Sequence, residues 1–172
     1  MSLERLSDRV VIVTGAASGI GQATAVRLAS EGAKVLASDI NHEGLAETLE
    51  TANKAADGGG ECITHVADIS READAANTVA TAVEAWGHLD GIANIAGMLR
   101  SGRTHEFSLD SWNQVIAVNL TGTFLMCREA LPHLMESKGS IVNAASTSSS
   151  FGHPWMAAYA ASKGAIWSFT QT

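Results

Sequence analysis

Short apolar runs rich in β-branched residues alternate with helix-period stretches along the whole chain, and this alternation constrains the fold more than any other feature. "RVVIVT" (9–14), "AKVLASD" (33–39), "ECITHVA" (61–67), "LDGIANIAG" (89–97) and "SIVNAAS" (140–146) have the length and composition of buried strands. Between them, "IGQATAVRLASEG" (20–32), residues 43–56, "READAANTVATAVEAW" (71–86) and residues 108–139 space their apolar residues as helices do. A further helix starts at about Ala157. Gly32, the "DGGG" of 57–60 and Gly87 stop the first three helices. Ser70 is expected to cap the third and Ser108 the fourth, whose first turn holds Asp110. Pro132 is expected to bend the last third of that long helix. Strands that alternate with helices pair in parallel, and right-handed crossovers then cover both faces of the sheet. The expected fold is therefore a doubly wound α/β sheet with helices on both faces.

With 172 residues, the chain fits one compact domain with a sizeable core. No repeat, linker or low-complexity tract divides it. The formal net charge of −7, with no concentration of Lys or Arg, argues against a nucleic-acid surface. No apolar run approaches the roughly 20 residues of a membrane span, and "MSLERLSDRV" lacks the pattern of a secretion signal. Cys62 and Cys127 have neither disulfide-framework nor metal-ligand spacing, and read as buried thiols. The six histidines show no ligand pairing, so no metal is expected. A reducing cytoplasm is the default compartment.

The first strand runs into "TGAASGIG", with Gly15, Gly19 and Gly21 at the strand-to-helix junction. Free N–H groups at a helix N-terminus attract anions. Gly15 permits a tight turn, Gly19 lets backbone approach a pyrophosphate, and Gly21 lets helix pack on strand. A plain glycine turn would look similar. Asp39 ends the second strand, about 20 residues past the last glycine, where an acid accepts hydrogen bonds from ribose hydroxyls. Its charge repels a 2′-phosphate, and no Arg lies between Arg27 and Arg71, so NAD is favoured over NADP. The alternative is that Asp39 only caps the next helix.

"YAASK" sets Tyr159 and Lys163 at i and i+4, on one helix face. A cation one turn away favours the tyrosinate and makes a tyrosine usable for proton exchange near neutral pH. Such a pair alone is often a bland surface pair. Here it follows Ser146, expected at the carboxyl end of the fifth strand, the edge at which ligands bind in such sheets.

Taken together and in order, Thr14 to Gly21, Asp39, Asp68, the "NIAG" of 94–97, Asn119 in "VNLTGTF", Ser146, Tyr159 and Lys163 make the chain resemble the short-chain dehydrogenase/reductase family, in its shorter-subunit branch. The resemblance covers essentially the whole chain. It implies a Rossmann-like sheet and an NAD-dependent oxidoreductase acting on a secondary alcohol or ketone. Tyr159 would be the general acid/base. Lys163 would assist it and hold the nicotinamide ribose, Ser146 would polarise the substrate oxygen, and Asn119 would seat a water that links Lys163 to solvent. The cofactor would lie against Gly15, Ser18, Gly19, Ile20 and Gly21, with Asp39 at the adenosine ribose. Asp68 and Ile69 would border the adenine, and Asn94, Ala96, Gly97, Tyr159 and Lys163 would complete the site. Family members usually carry a second Asn where this chain has Ile95, which puts the backbone bracing there in doubt.

His153, Trp155 and Met156, between Ser146 and Tyr159, are the expected substrate contacts, although Trp155 and Met156 could equally be packing residues. Two other readings are a non-catalytic or weakly active nucleotide-binding fragment and a 3-oxoacyl thioester reductase. A homodimer or homotetramer is expected, because the long fourth helix and Ala161, Ala165, Ile166, Trp167 and Phe169 offer more small and apolar surface than one sheet face covers. Because the chain stops in the Tyr159 helix, the resemblance implies that 1–172 is a single dinucleotide-binding and catalytic domain, incomplete at its C-terminus, with strands 1–5 present and later strands missing. Weak NAD binding and little activity are expected of that form.

Overall fold

In the computed structural model, which describes residues 5–56 and 59–172, five parallel strands form one sheet in the order β3-β2-β1-β4-β5. The strands are β1 (Val10–Thr14), β2 (Lys34–Asp39), β3 (Glu61–Val66), β4 (Gly91–Asn94) and β5 (Ser140–Asn143). The helices are α1 (Gly19–Ser30), α2 (His42–Ala55), α3 (Glu72–Trp86), α4 (Leu109–Ile116), α5 (Thr123–Ser137) and α6 (Ala157–Phe169). Part of the expected "DGGG" break, Asp57 and Gly58, lies outside the described residues; α2 ends just before it, at Ala55.

Alternation along each strand builds two cores. Ile12, Leu36 and Ile92 face α3 and α5, where they pack with Val79, Leu125 and Met126. Val13, Val35, Ala37 and Ala93 face α1 and α2, where Ala25, Ala29, Leu45 and Ala52 meet them. Small residues dominate this second face, so its helices sit close to the sheet. β1 pairs with β2 on one side and β4 on the other. The chain reverses its winding direction at β1, and a crevice opens at the carboxyl ends of these strands. Among the described residues, no helix is long and apolar enough to cross a membrane.

Three local expectations need correction. Ser70 does not cap α3: the cap position is Arg71, and the Ser70 hydroxyl donates to Asp68 Oδ1 at 2.6 Å instead. A carboxylate two residues back competes for the short side chain. The expected strand 140–146 ends at Asn143, so Ser146 lies three residues beyond it, at the cap of a short 3₁₀ turn (Thr147–Ser149). The long helix 108–139 is continuous, but its irregularity is not at Pro132, which lies inside α5. Instead a π-helical turn (Ala117–Gly122) joins α4 to α5. Gly122 packs there against Ile69, whose Cδ1 lies 2.8 Å from where a Cβ would stand. Ser108 does cap α4, accepting from Ser111 N–H at 3.1 Å, and Gly87 ends α3 at φ +83.

Candidate active site

The crevice is a cavity of about 460 Å³. Gly15, Ser18, Gly19, Ile20 and Gly21 line one side, Asp39, Asp68 and Ile69 another, and Ala96 and Gly97 a third. The glycines are used differently. Gly15 has φ +70, and a Cβ on it would stand 2.7 Å from the Ala96 backbone. A Cβ on Gly19, at φ +54, would meet nothing within 4 Å among the described residues, which leaves the crevice wall open. A Cβ on Gly21 would meet the Gly15 carbonyl oxygen at 2.0 Å, which keeps α1 tight against the loop.

The Asp39 carboxylate accepts from Ala17 N–H at 3.1 Å and from Asn41 N–H at 3.0 Å. Asn41, not Asp39, caps α2, accepting from Gly44 N–H. The acid is thus fixed at the cavity wall by backbone donors and is not consumed as the helix cap. Ser38 beside it is fully buried, and its hydroxyl has no hydrogen-bond partner among the described residues, although the residue lines the cavity. Asp68 is held in the same way by Ser70.

The opposite wall is pinned at three points. Thr14 Oγ1 accepts from both Ile95 N–H (3.1 Å) and Ala96 N–H (3.2 Å). This threonine supplies the backbone bracing that the missing second asparagine put in doubt. Asn119, completely buried, accepts from Met98 N–H at 2.7 Å and donates to Met98 C=O at 3.0 Å. Asn94, expected to hold the fourth strand near the cofactor, donates from its amide to Asn143 Oδ1 (2.9 Å) and Cys127 Sγ (3.3 Å). Side chains alternate along β4, and position 94 shares the α5 side with Ile92. Asn94 ties β4 to β5 and α5, while its neighbours Ile95 and Ala96 line the cavity.

Tyr159 and Lys163 share a face of α6. Lys163 Nζ is 5.9 Å from the Tyr159 ring centre and donates to Ala144 C=O at 2.6 Å. The residue is only 4% exposed, and burial pushes its pKa below the ordinary lysine value. Nζ also lies 3.5 Å from where a Cβ on Gly97 would stand, so the ammonium borders the cavity wall. Ser146 Oγ accepts from Ser148 N–H at 3.1 Å. His153 is exposed. Trp155 is also exposed and lies in a separate, shallow depression with Ser101, Gly102, Arg103 and Glu106; its φ is +65 and its carbonyl accepts from Gly102 N–H. Met156 is half-buried at the start of α6, where its carbonyl accepts from Ala160 N–H.

Sequence reasoning missed Thr14 as a brace, Met98 as the partner of Asn119, Ser38, and the Ala144 carbonyl. Only Thr14 had a local signal, as the residue before the first glycine of the loop.

The sequence model described as "short chain dehydrogenase" matches residues 9–172. Over 163 residues the chain is 40% identical to the 2,5-dichloro-2,5-cyclohexadiene-1,4-diol dehydrogenase LinX of Sphingobium indicum, covering 94% of this chain and 64% of that protein. The crystal structure of levodione reductase superposes with a TM-score of 0.92 at 38% identity, covering 96% of this chain and 65% of that one. The structure of carveol dehydrogenase from Mycobacterium avium, in complex with NAD, superposes with a TM-score of 0.89 at 29% identity, over 96% of this chain and 64% of that one. The chain thus spans just under two thirds of the length of these proteins.

Proposed function

The chain belongs to the short-chain dehydrogenase family, and on that footing we propose that it moves hydride between a nicotinamide dinucleotide, NAD rather than NADP, and a secondary alcohol or ketone. The observation that carries this reading is the buried Lys163 beside Tyr159, at the Gly97 wall of a cavity whose far side is the glycine loop and Asp39. The residues fit a dinucleotide. The open wall at Gly19 admits a pyrophosphate against backbone, and the oriented Asp39 carboxylate suits a ribose diol and opposes a 2′-phosphate. When bound, the nicotinamide supplies the hydride donor or acceptor.

The chain's own groups handle the proton. The Tyr159 hydroxyl gives a proton to a ketone oxygen, or takes one from an alcohol. Lys163 stands beside the ring, with Nζ 5.9 Å from its centre, where it would also hold the nicotinamide ribose hydroxyls. Ser146, whose hydroxyl donates to Ser148 Oγ at 3.3 Å, turns that hydrogen to the substrate oxygen while still accepting from Ser148 N–H. The Asn119 main-chain carbonyl oxygen, which accepts from Thr123 Oγ1 at 2.7 Å, would also accept from a water that links Lys163 to solvent. His153 and Met156 shape the substrate side, while Trp155 stands in its separate depression.

The test is NADH formation over a panel of secondary alcohols, with Tyr159→Phe as the comparison. Turnover should drop by about a hundredfold or more, with NAD affinity kept within a few-fold. Unchanged turnover in the variant overturns the assignment of Tyr159.

The same reading includes a homo-oligomer in the cytoplasm. Phe124, Leu131 and Met135 of α5 and Trp167 of α6 are exposed apolar residues, and Phe124 and Phe169 pack edge to face between the two helices. Ile166, counted on this surface from sequence, is instead core at 1% exposure. Both cysteines are free and buried, as suits a reducing compartment.

A further inference from the structure

The strongest polar network outside the assigned groups runs through Ser162. This residue is completely buried within α6, between Ala161 and Lys163. Its hydroxyl donates to Tyr159 C=O at 2.7 Å and accepts from Asn119 Nδ2 at 3.0 Å. We infer that Ser162 is a positioning residue for the Tyr159/Lys163 pair, holding their helix turn in register with the cavity wall through Asn119. The inference rests on the alcohol–ketone reading above.

Hydrogen-bond chemistry leaves this network one arrangement. Asn119 Oδ1 must face the Met98 N–H, because the amide nitrogen cannot accept. Its two amide hydrogens then go to Met98 C=O and to Ser162 Oγ. With a lone pair of Ser162 occupied, its own hydrogen is directed to the Tyr159 carbonyl. In an α-helix that carbonyl also receives the N–H of the residue four positions on, here Lys163. The Ser162 hydroxyl is therefore fastened to the one helical turn that sets Tyr159 and Lys163 relative to each other. The far end of the chain is Met98, which lines the cavity. Asn119 is aimed across this gap from the π-helical turn, where the regular α-helical hydrogen-bond pattern is interrupted.

Removing the hydroxyl leaves an Asn119 amide hydrogen buried without a partner and frees the turn. Tyr159 is the only tyrosine in the chain, so ring-carbon-labelled tyrosine gives a resonance that reports on this residue alone and needs no turnover. In the full chain with NAD, Ser162→Ala is expected to displace or broaden that resonance. It should also lower kcat by about tenfold, the factor of one ordinary hydrogen bond. KM for the alcohol and the affinity for NAD should stay within about threefold, since no cavity-lining atom is removed. Ser162→Thr, which keeps the hydroxyl, should restore both the resonance and kcat. If the alanine variant does not fold, the comparison is made with Ser162→Cys, whose weaker donor should displace the resonance in the same direction. A tyrosine resonance at the wild-type position in a folded hydroxyl-less variant overturns the inference. So does a kcat loss matched by an equal loss of NAD affinity, which is the signature of general destabilisation. A wild-type chain that oxidises no alcohol and reduces no ketone sinks the functional reading instead, and the resonance comparison still decides whether Ser162 positions Tyr159.

Discussion

Adding one methyl group at Gly21 tests why this chain carries a third glycine in its loop. Intrinsic helix propensity predicts that Gly21→Ala stabilises α1, by up to about 1 kcal/mol. The structure predicts the opposite. The new Cβ would stand 2.0 Å from the Gly15 carbonyl oxygen and 2.6 Å from its carbon, where 3.0 Å is the practical minimum. Helix and loop must part by about 1 Å. Gly15 cannot yield, because its own Cα region already sits against the Ala96 backbone. An overpacking penalty of about 3 kcal/mol therefore outweighs the propensity gain and leaves a net loss of about 2 kcal/mol. For a chain of this size that lowers the melting temperature by roughly 4–8 °C. Gly19→Ala is the control: it meets no atom within 4 Å, but its φ of +54 is disfavoured by about 1 kcal/mol, so its loss should be about half as large. Thermal melts followed by far-ultraviolet circular dichroism, with urea midpoints, distinguish the cases. A Gly21→Ala variant that melts at or above the wild-type temperature refutes the close-approach argument.

Asp39→Ala combined with Ile40→Arg should move the ratio of kcat/KM for NADP over NAD upward, because a repelling carboxylate is replaced by a guanidinium; an unmoved ratio would reduce Asp39 to a loop brace. Glu31, between Arg5 and Arg27, is held down at about 2, first by the hydrogen bond from Arg5. A depressed carboxyl pKa stabilises the fold above the ordinary value and loses that effect as pH drops through the folded one. The melting-temperature gap between wild type and Glu31→Gln should thus be full near neutral pH, shrink between about pH 4.5 and pH 2, and close below; a gap that persists in stronger acid would contradict this. Burial pushes the Cys62 thiol up to about 11 and raises Cys127 as well. Neither should react quickly with a thiol-exchange reagent near neutral pH in the native chain, and both should after unfolding; a fast native thiol would show that one of them is reached by local opening.

What the sequence determined by itself follows from short-range rules. Alternating strand and helix periods are enough to require a parallel sheet, and the observed order β3-β2-β1-β4-β5 is one that right-handed crossovers allow. The spacing of Gly15, Gly19 and Gly21 requires a backbone approach at the first junction, because Gly15 and Gly19 take a positive φ and a Cβ on Gly15 or Gly21 would collide with backbone. Asp39 at the end of β2 and Lys163 one turn after Tyr159 are likewise positions along single elements. Tertiary structure alone decided what joins those elements. Asn119 reaches Met98 across 21 residues and Ser162 across 43, and it does so from a π-helical turn that helical periodicity does not announce. Thr14 braces Ile95 and Ala96 from 81 and 82 residues away. Asn94, expected to hold the fourth strand, finds its partners in Cys127 and Asn143, 33 and 49 residues away. The physical reason is common to all three side chains. A periodic pattern encodes which face of an element is apolar, whereas a buried polar side chain takes whichever donors and acceptors the packed faces bring within hydrogen-bond reach.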